Sequence, residues 1–257
     1  MSWSPGALAP APGAASTTRM LRAQLRAELT LMLRNGEQVL LTLVIPLGLL
    51  VVLTLIPFVT VQGDSRVGFF APGVIALAVM SAAFTGQAIG VGFERQYGVL
   101  KRLGATALPR WVLLGAKTLA VVYVELVQLL LIAVVGLLFL HWRPIGDPLS
   151  VLLLVALGTA AFSGLGLLLG GTLRGLTTLA AANLLWFVLL VLGGVLFPLS
   201  QLGAAEPVLR LLPTAALSDG LRQVLQEGAE VPVRDALALA AWAVGGLALA
   251  SRFFRWE

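Results

Sequence analysis

Few side chains in this sequence are equipped for chemistry, and the most conspicuous of them stands where lipid would surround it. Glu125 interrupts the apolar run Val121-Val122-Tyr123-Val124-Glu125-Leu126-Val127. A carboxyl group in hydrocarbon needs a proton or a hydrogen-bond partner, because an unpaired charge there is costly. The single histidine, His141, lies beside Trp142 at the end of the same run, and there is no cysteine. Disulfides, thiolate nucleophiles and sulfur metal sites are therefore excluded, and almost no ligand set for a transition metal remains. No G-x-x-x-x-G-K-[ST] string occurs. The nearest, Gly115-Ala116-Lys117-Thr118, has the wrong spacing to cradle a phosphate. An intramembrane enzyme would need a Ser with a base, or paired acids and histidines, at one depth, and the sequence offers neither.

The elements that must hold these residues are membrane helices. Of the 257 residues, 59% are hydrophobic and 11% charged, against roughly 45–50% and 25% in soluble chains. The mean hydropathy is +0.98. A basic balance of +5 is then a matter of membrane orientation, not of nucleic-acid binding. Residues 1–16, rich in Pro, Ala and Gly, read as a disordered tail. Over residues 17–37, Arg19, Arg22, Arg26 and Arg34 form one stripe opposite Leu21, Leu25 and Leu31, the pattern of an interfacial amphipathic helix. Six apolar stretches follow, at about 38–60, 70–92, 111–140, 149–172, 177–198 and 235–251, each near the length of about 20 residues that crosses a bilayer. The expected fold is an all-α integral membrane protein: one interfacial helix and six transmembrane helices in a single domain over 17–257. With the N-terminus inside, twelve Lys and Arg flank the inner ends and five the outer ends. That asymmetry predicts both termini in the cytoplasm.

Helix rise places Gln87, Glu125 and Asn183 in the inner-leaflet half of the second, third and fifth spans, about 8–12 Å from their inner ends. They predict a polar layer, with Ser163 able to join it and Glu125 bonded to Asn183 or Gln87. This layer is either interhelical glue or a patch on a substrate path. Trp186 and Phe187, in mid-span, read as packing or as an aromatic wall for an apolar substrate. Gly86-x-x-x-Gly90 and Gly166-x-x-x-Gly170 fit the small-x-x-x-small pattern of close helix contacts, and Gly193-Gly194 interrupts the fifth span. Residues 199–232 are too long for a turn and predict an outer surface or re-entrant helix, with Leu217, Leu221, Val224 and Leu225 on one side and Asp219, Arg222, Gln223 and Glu227 on the other.

Between the second and third spans the chain reads Glu94-Arg95-Gln96-Tyr97-Gly98-Val99-Leu100-Lys101-Arg102-Leu103-Gly104. Tyr97, Leu100 and Leu103 recur at helical spacing, and the acid leads while the bases trail. This predicts a short amphipathic cytoplasmic helix over 94–104.

This loop resembles the first cytoplasmic loop of type-2 ATP-binding-cassette exporter permeases, E-R-x-x-G-x-L-x-x-L, and Pro109-Arg110 resembles its re-entry into the membrane. The stretch from Phe197-Pro198 through Leu212-Pro213-Thr214 to Gly220-Leu221-Arg222 is similar to the family's segment after the fifth span. The chain departs from the family's usual Thr or Ser after the loop glycine, carrying Val99. The resemblance implies a permease subunit that is not itself an enzyme, with ATP and magnesium bound by a separate ATPase. Two ATPase copies would dock on Glu94, Arg95, Tyr97, Gly98, Leu100, Lys101, Arg102 and Leu103, and two copies of the permease would enclose the substrate path. It also implies export across the inner membrane, and the apolar spans favour an amphipathic or lipidic cargo such as a drug or antibiotic. Polysaccharides and peptides move through the same architecture. The competing class is a carrier driven by an ion gradient, which would want internal repeats and paired ionisable groups near the midplane.

Overall fold

The computed structural model describes residues 14–56 and 65–254. Most of the expected N-terminal tail, the outer end of the first span and the last three residues lie outside the described residues. Among those described, every regular element is a helix.

Helix α1, Thr17–Arg34, keeps its arginines on the exposed side and packs its other side on a later span. It is followed after Asn35 by α2, Gly36–Leu55, whose apolar part is the short stretch Thr42–Leu55. Five longer helices are apolar enough to cross a membrane. The first of these, α3, runs without a break from Arg66 to Gln96 and is the most enclosed, with 94% of its apolar window buried. Its middle turns, Met80–Gly86, widen into a π-helix, a local geometry that often marks function. After Gly98 comes a six-residue helix α4, Val99–Gly104. The remaining long helices are α5 (Arg110–Phe139), α6 (Pro148–Thr172), α7 (Gly175–Leu192) and α9 (Val233–Phe253). A 3₁₀ turn at Leu199–Ala205, a short turn at Glu206–Leu209 and α8, Pro213–Glu227, connect the last two. The termini of α6 follow ordinary capping rules. Asp147 accepts from the Ser150 N–H at 2.9 Å and from its hydroxyl at 3.0 Å, which hold its carboxyl below the usual range, and Pro148 occupies the first turn.

Three sequence expectations change here. The helix expected over 94–104 is two helices: Glu94–Gln96 complete α3, and Gly98, at φ +69°, breaks the chain before α4. A Cβ is unfavourable in that left-handed conformation, which explains the glycine. Gly193-Gly194 does not interrupt the fifth span but ends it, since α7 stops at Leu192 and Gly194 turns the backbone at φ +68°. Of the two forms expected for the outer segment, surface or re-entrant, α8 is not the first. It lies buried among α3, α6 and α9, and Arg222, assigned to its polar side, points inward.

The reason for the last is a shortage of donors at helix ends. The final carbonyls of a helix have no partner within it, and in hydrocarbon there is no water to supply one. Arg222 donates to the carbonyls of Gly194 at 2.6 Å, Val195 at 3.2 Å and Phe69 at 3.3 Å, and stacks 4.1 Å from the Phe69 ring centre. Burial pushes its pKa down to about 10 while Asp219 opposes the shift, so it keeps its charge at neutral pH. Arg66 serves the end of α2 in the same way, donating to Leu53, Thr54 and Ile56 carbonyls. Arg95 serves the end of α6 through Gly171 and Leu173.

Glycine sets the closest crossings. A Cβ at Gly170 would stand 2.5 Å from the Ala88 carbonyl of α3, and one at Gly166 would meet Ala83 and Phe84 carbonyls at 2.8 Å. This pair therefore joins α6 to α3 within the chain, not to a second copy. Gly90 meets nothing within 4 Å, so the Gly86/Gly90 pair is no crossing and faces open space. The core between these helices holds Phe70, Leu77, Met80, Leu154, Phe162 and Leu217, each nearly or wholly inaccessible.

Candidate functional site

The loop between α3 and α5 is built on a buried footing. Leu100 is fully enclosed and packs with Val91, Leu113, Leu167, Ala250 and Phe254, contributed by α3, α5, α6 and the C-terminal end of α9; Leu103 lies against the same cluster. Helix α4 is too short to hold itself in place, so this apolar anchor fixes its orientation. What remains outward is a rim of Tyr97, 64% exposed, with Val99, Lys101 and Arg102. Tyr97 stacks on Phe93 with ring centres 6.0 Å apart, which orients its exposed ring. The eight residues expected to form one docking surface thus divide. Tyr97, Lys101 and Arg102 face out, Gly98 shapes the turn, and Leu100 and Leu103 anchor it. Glu94 and Arg95 face the protein, Arg95 through the α6 carbonyls already described.

Glu94 belongs to a charge cluster that the sequence reading missed. The Lys117 ammonium of α5 lies 2.6 Å from Glu94 Oε1 and 2.9 Å from Glu28 Oε1, and only 6% of its surface is exposed. Gln24 also donates to Glu28 at 2.8 Å. One lysine therefore ties the amphipathic helix to the ends of α3 and α5 that flank the loop. The signal in the sequence was a lone base inside an apolar run and a lone acid in an arginine-rich helix. Their 89-residue separation concealed the pairing.

Deeper in, the expected polar layer forms only in part. Glu125 Oε2 is 2.5 Å from the Thr159 hydroxyl of α6, and neither Asn183 nor Gln87 bonds to it. Asn183 is exposed on α7, a helix that packs on α3 and α6 rather than on α5. Gln87 is 6% exposed, and neither its amide nitrogen nor its amide oxygen has a partner. Ser163 is fully buried with an unpartnered hydroxyl. Trp186 donates to Ser81 Oγ at 2.9 Å across α7 and α3, whereas Phe187 is 59% exposed. Gln128 was overlooked. Its amide donates at 2.8 Å to the Thr42 carbonyl of α2, the group that Pro46, four residues on and lacking an N–H, leaves unbonded.

Between α1, α2, α3 and α5 a cavity of about 290 Å³ reaches from this level to the Glu28–Lys117–Glu94 cluster. The site as a whole has a loop anchored by Leu100 with an exposed basic rim, and beyond it helices joined by a few buried polar contacts. The geometry suits relaying a push at the loop into helix movement.

A family model described as ABC-2 type transporter matches residues 19–225. The match takes in both stretches that carried the resemblance, the loop at 94–103 and the segment ending at Arg222. No curated protein matches the chain. The match covers most of the sequence, from the amphipathic helix into α8, so the chain belongs to the ABC-2 type transporter family, multi-pass membrane components of transporters that associate with an ATP-binding-cassette ATPase.

Proposed function

We propose that this chain is the permease subunit of an ATP-driven exporter. Both termini lie in the cytoplasm, and six helices cross the inner membrane, with α2 as the first span. A separate ATPase, binding ATP and magnesium, docks on the rim Tyr97, Lys101 and Arg102. The observation that carries this reading is the buried Leu100 anchor. It makes the loop one body with the inner ends of α3, α5, α6 and α9, so force applied at the rim reaches the spans without being lost in a flexible loop. The twelve-to-five bias of basic residues supports the orientation.

Two copies act together. On α7, Asn183, Leu184, Phe187, Val188 and Val191 are exposed along one side. A primary amide facing lipid would be left without hydrogen bonds, so a second copy or a wet substrate path between copies covers this face. Asn183 and Phe187 then border the path, Trp186 stands in its wall, and the Glu125–Thr159 contact is a latch between α5 and α6. The cargo is amphipathic or lipidic and moves outward.

Co-expressing the chain with its ATPase and reconstituting both in liposomes tests the coupling. The variant Lys101→Glu/Arg102→Glu should lower cargo-stimulated ATP hydrolysis and transport at least tenfold while leaving the melting temperature of the permease unchanged. Full transport by that variant rejects the docking role.

A further inference from the structure

The cavity between α1, α2, α3 and α5 is walled by apolar side chains, among them Leu29, Met32, Leu43, Val121, Val124 and Val127. Leu31 and Leu33, both exposed, form part of its lining, so it is reached from the surface. At about 290 Å³ it sits at the lower end of the roughly 300–1,000 Å³ of small-molecule sites. Its polar groups are what set it apart from a packing gap. Gln87 and Glu94 are seven residues apart on α3 and therefore share a helix face, with Gly90 between them leaving the space open. The Gln87 amide is 6% exposed, yet both of its polar atoms lack a partner. Buried polar groups are nearly always hydrogen-bonded, so such an amide lining a cavity is aimed at a ligand or at water. Glu28 is satisfied by Lys117 and Gln24. Glu94 offers one oxygen to Lys117, and its other oxygen is buried without a partner. Two carboxylates thus share one ammonium, and Glu94 is the acid with an oxygen left over.

We infer that this cavity binds an amphiphile with a protonated amine head. The ammonium bonds the free Glu94 oxygen, a polar atom of the head or its linker reaches Gln87, and the chain lies on the apolar wall. A protonated amine supplies a second cation and the missing donors together, whereas an anionic head would meet Glu94 and a hydrocarbon would leave Gln87 unbonded. The chemistry is the same for a free long-chain amine and for the amine of a membrane phospholipid. This deepens the transport reading by naming the chemistry of what the inner half of the protein holds, but its binding needs no ATPase.

The test uses the purified full chain in phosphatidylcholine nanodiscs, titrated with dodecylammonium, dodecanol and dodecanoate and followed by native mass spectrometry. Dodecylammonium should bind one per chain, at least tenfold tighter than either of the others. Gln87→Leu, which removes only unpartnered atoms, and Gly90→Leu, whose Cβ meets nothing within 4 Å, should each weaken it at least tenfold without lowering the melting temperature. If added phosphatidylethanolamine displaces the probe, the lipid amine is the source; if it does not, a free amphiphile is. Equal binding of amine and alcohol, or amine binding unchanged in Gly90→Leu, overturns the inference. Those results would leave the docking role of the rim standing, since that role fails only through the loop variant.

Discussion

Pro46 and Gln128 show how a single bond can decide whether a break in a membrane helix is tolerable. With no water at hand, the Thr42 carbonyl freed by Pro46 must find a donor from another helix, and Gln128 supplies it. Gln128→Leu should therefore destabilise the protein by about 1–3 kcal/mol, the cost of an unsatisfied buried carbonyl. In a Pro46→Ala background the same change should cost less, because the alanine regains a backbone N–H that can bond the Thr42 carbonyl. A double-mutant cycle on thermal unfolding in detergent measures that difference, and strict additivity would show that the bond is not what matters. Glu125 allows a second prediction. The Thr159 hydroxyl has one hydrogen but lies within bonding distance of two acceptors, Glu125 Oε2 at 2.5 Å and the Val155 carbonyl at 2.8 Å. A carboxyl that donates its own proton satisfies both. Glu125→Gln, which still donates, should retain transport and stability, while Glu125→Ala and Thr159→Val should both lose activity. Wild-type transport in all three variants would remove the latch. Glu125 was legible in the sequence because an acid in an apolar run has few explanations. Its partner was not, because α6 packs beside α5 and brings Thr159 to it, whereas α7 packs on α3 and α6 and leaves Asn183 exposed, and no local pattern encodes which spans are neighbours.

At the scale of elements, glycine spacing carried real information about close contacts but not about which contacts. Gly170 meets an α3 carbonyl that cannot move aside, whereas Gly245 of α9 has nothing within 4 Å of its missing Cβ. Gly170→Ala should cost about 1–3 kcal/mol through overpacking. Gly245→Ala should be neutral or stabilise by up to about 1 kcal/mol through helix propensity. The two thermal midpoints in one detergent decide, and equal shifts would mean that the α3–α6 crossing is looser than described. The short helix after Gly98 was legible from Leu100 and Leu103, whereas Tyr97, the third residue of that spacing, lies before the break. The break itself was hidden, because glycine permits both a helical and a left-handed backbone and only the packing of Leu100 chooses between them. The burial of α8 was hidden for a related reason. Its amphipathic pattern is that of a surface helix, and Arg222 reads as polar surface until the helix end it caps is known.

For the whole molecule, apolar length located the long helices well: α5 spans Arg110–Phe139 against an expected 111–140, and α6 Pro148–Thr172 against 149–172. The proposed orientation makes a direct prediction, and the absence of native cysteine makes it simple to check. A membrane-impermeant maleimide should label Glu230→Cys in intact cells and Lys101→Cys only after permeabilisation. The reverse pattern would invert the topology and remove the loop from the ATPase side.

The central claim, that the rim on the Leu100 anchor is where the ATPase engages, is tested most directly by site-specific crosslinking in the assembled transporter. With single cysteines at Val99, Lys101 and, as an outer-end control, the exposed Leu138, a thiol-reactive photo-crosslinker should join the ATPase to the first two positions and not to the third. Crosslinks absent at Val99 and Lys101, in a complex that still hydrolyses ATP and transports, would contradict it.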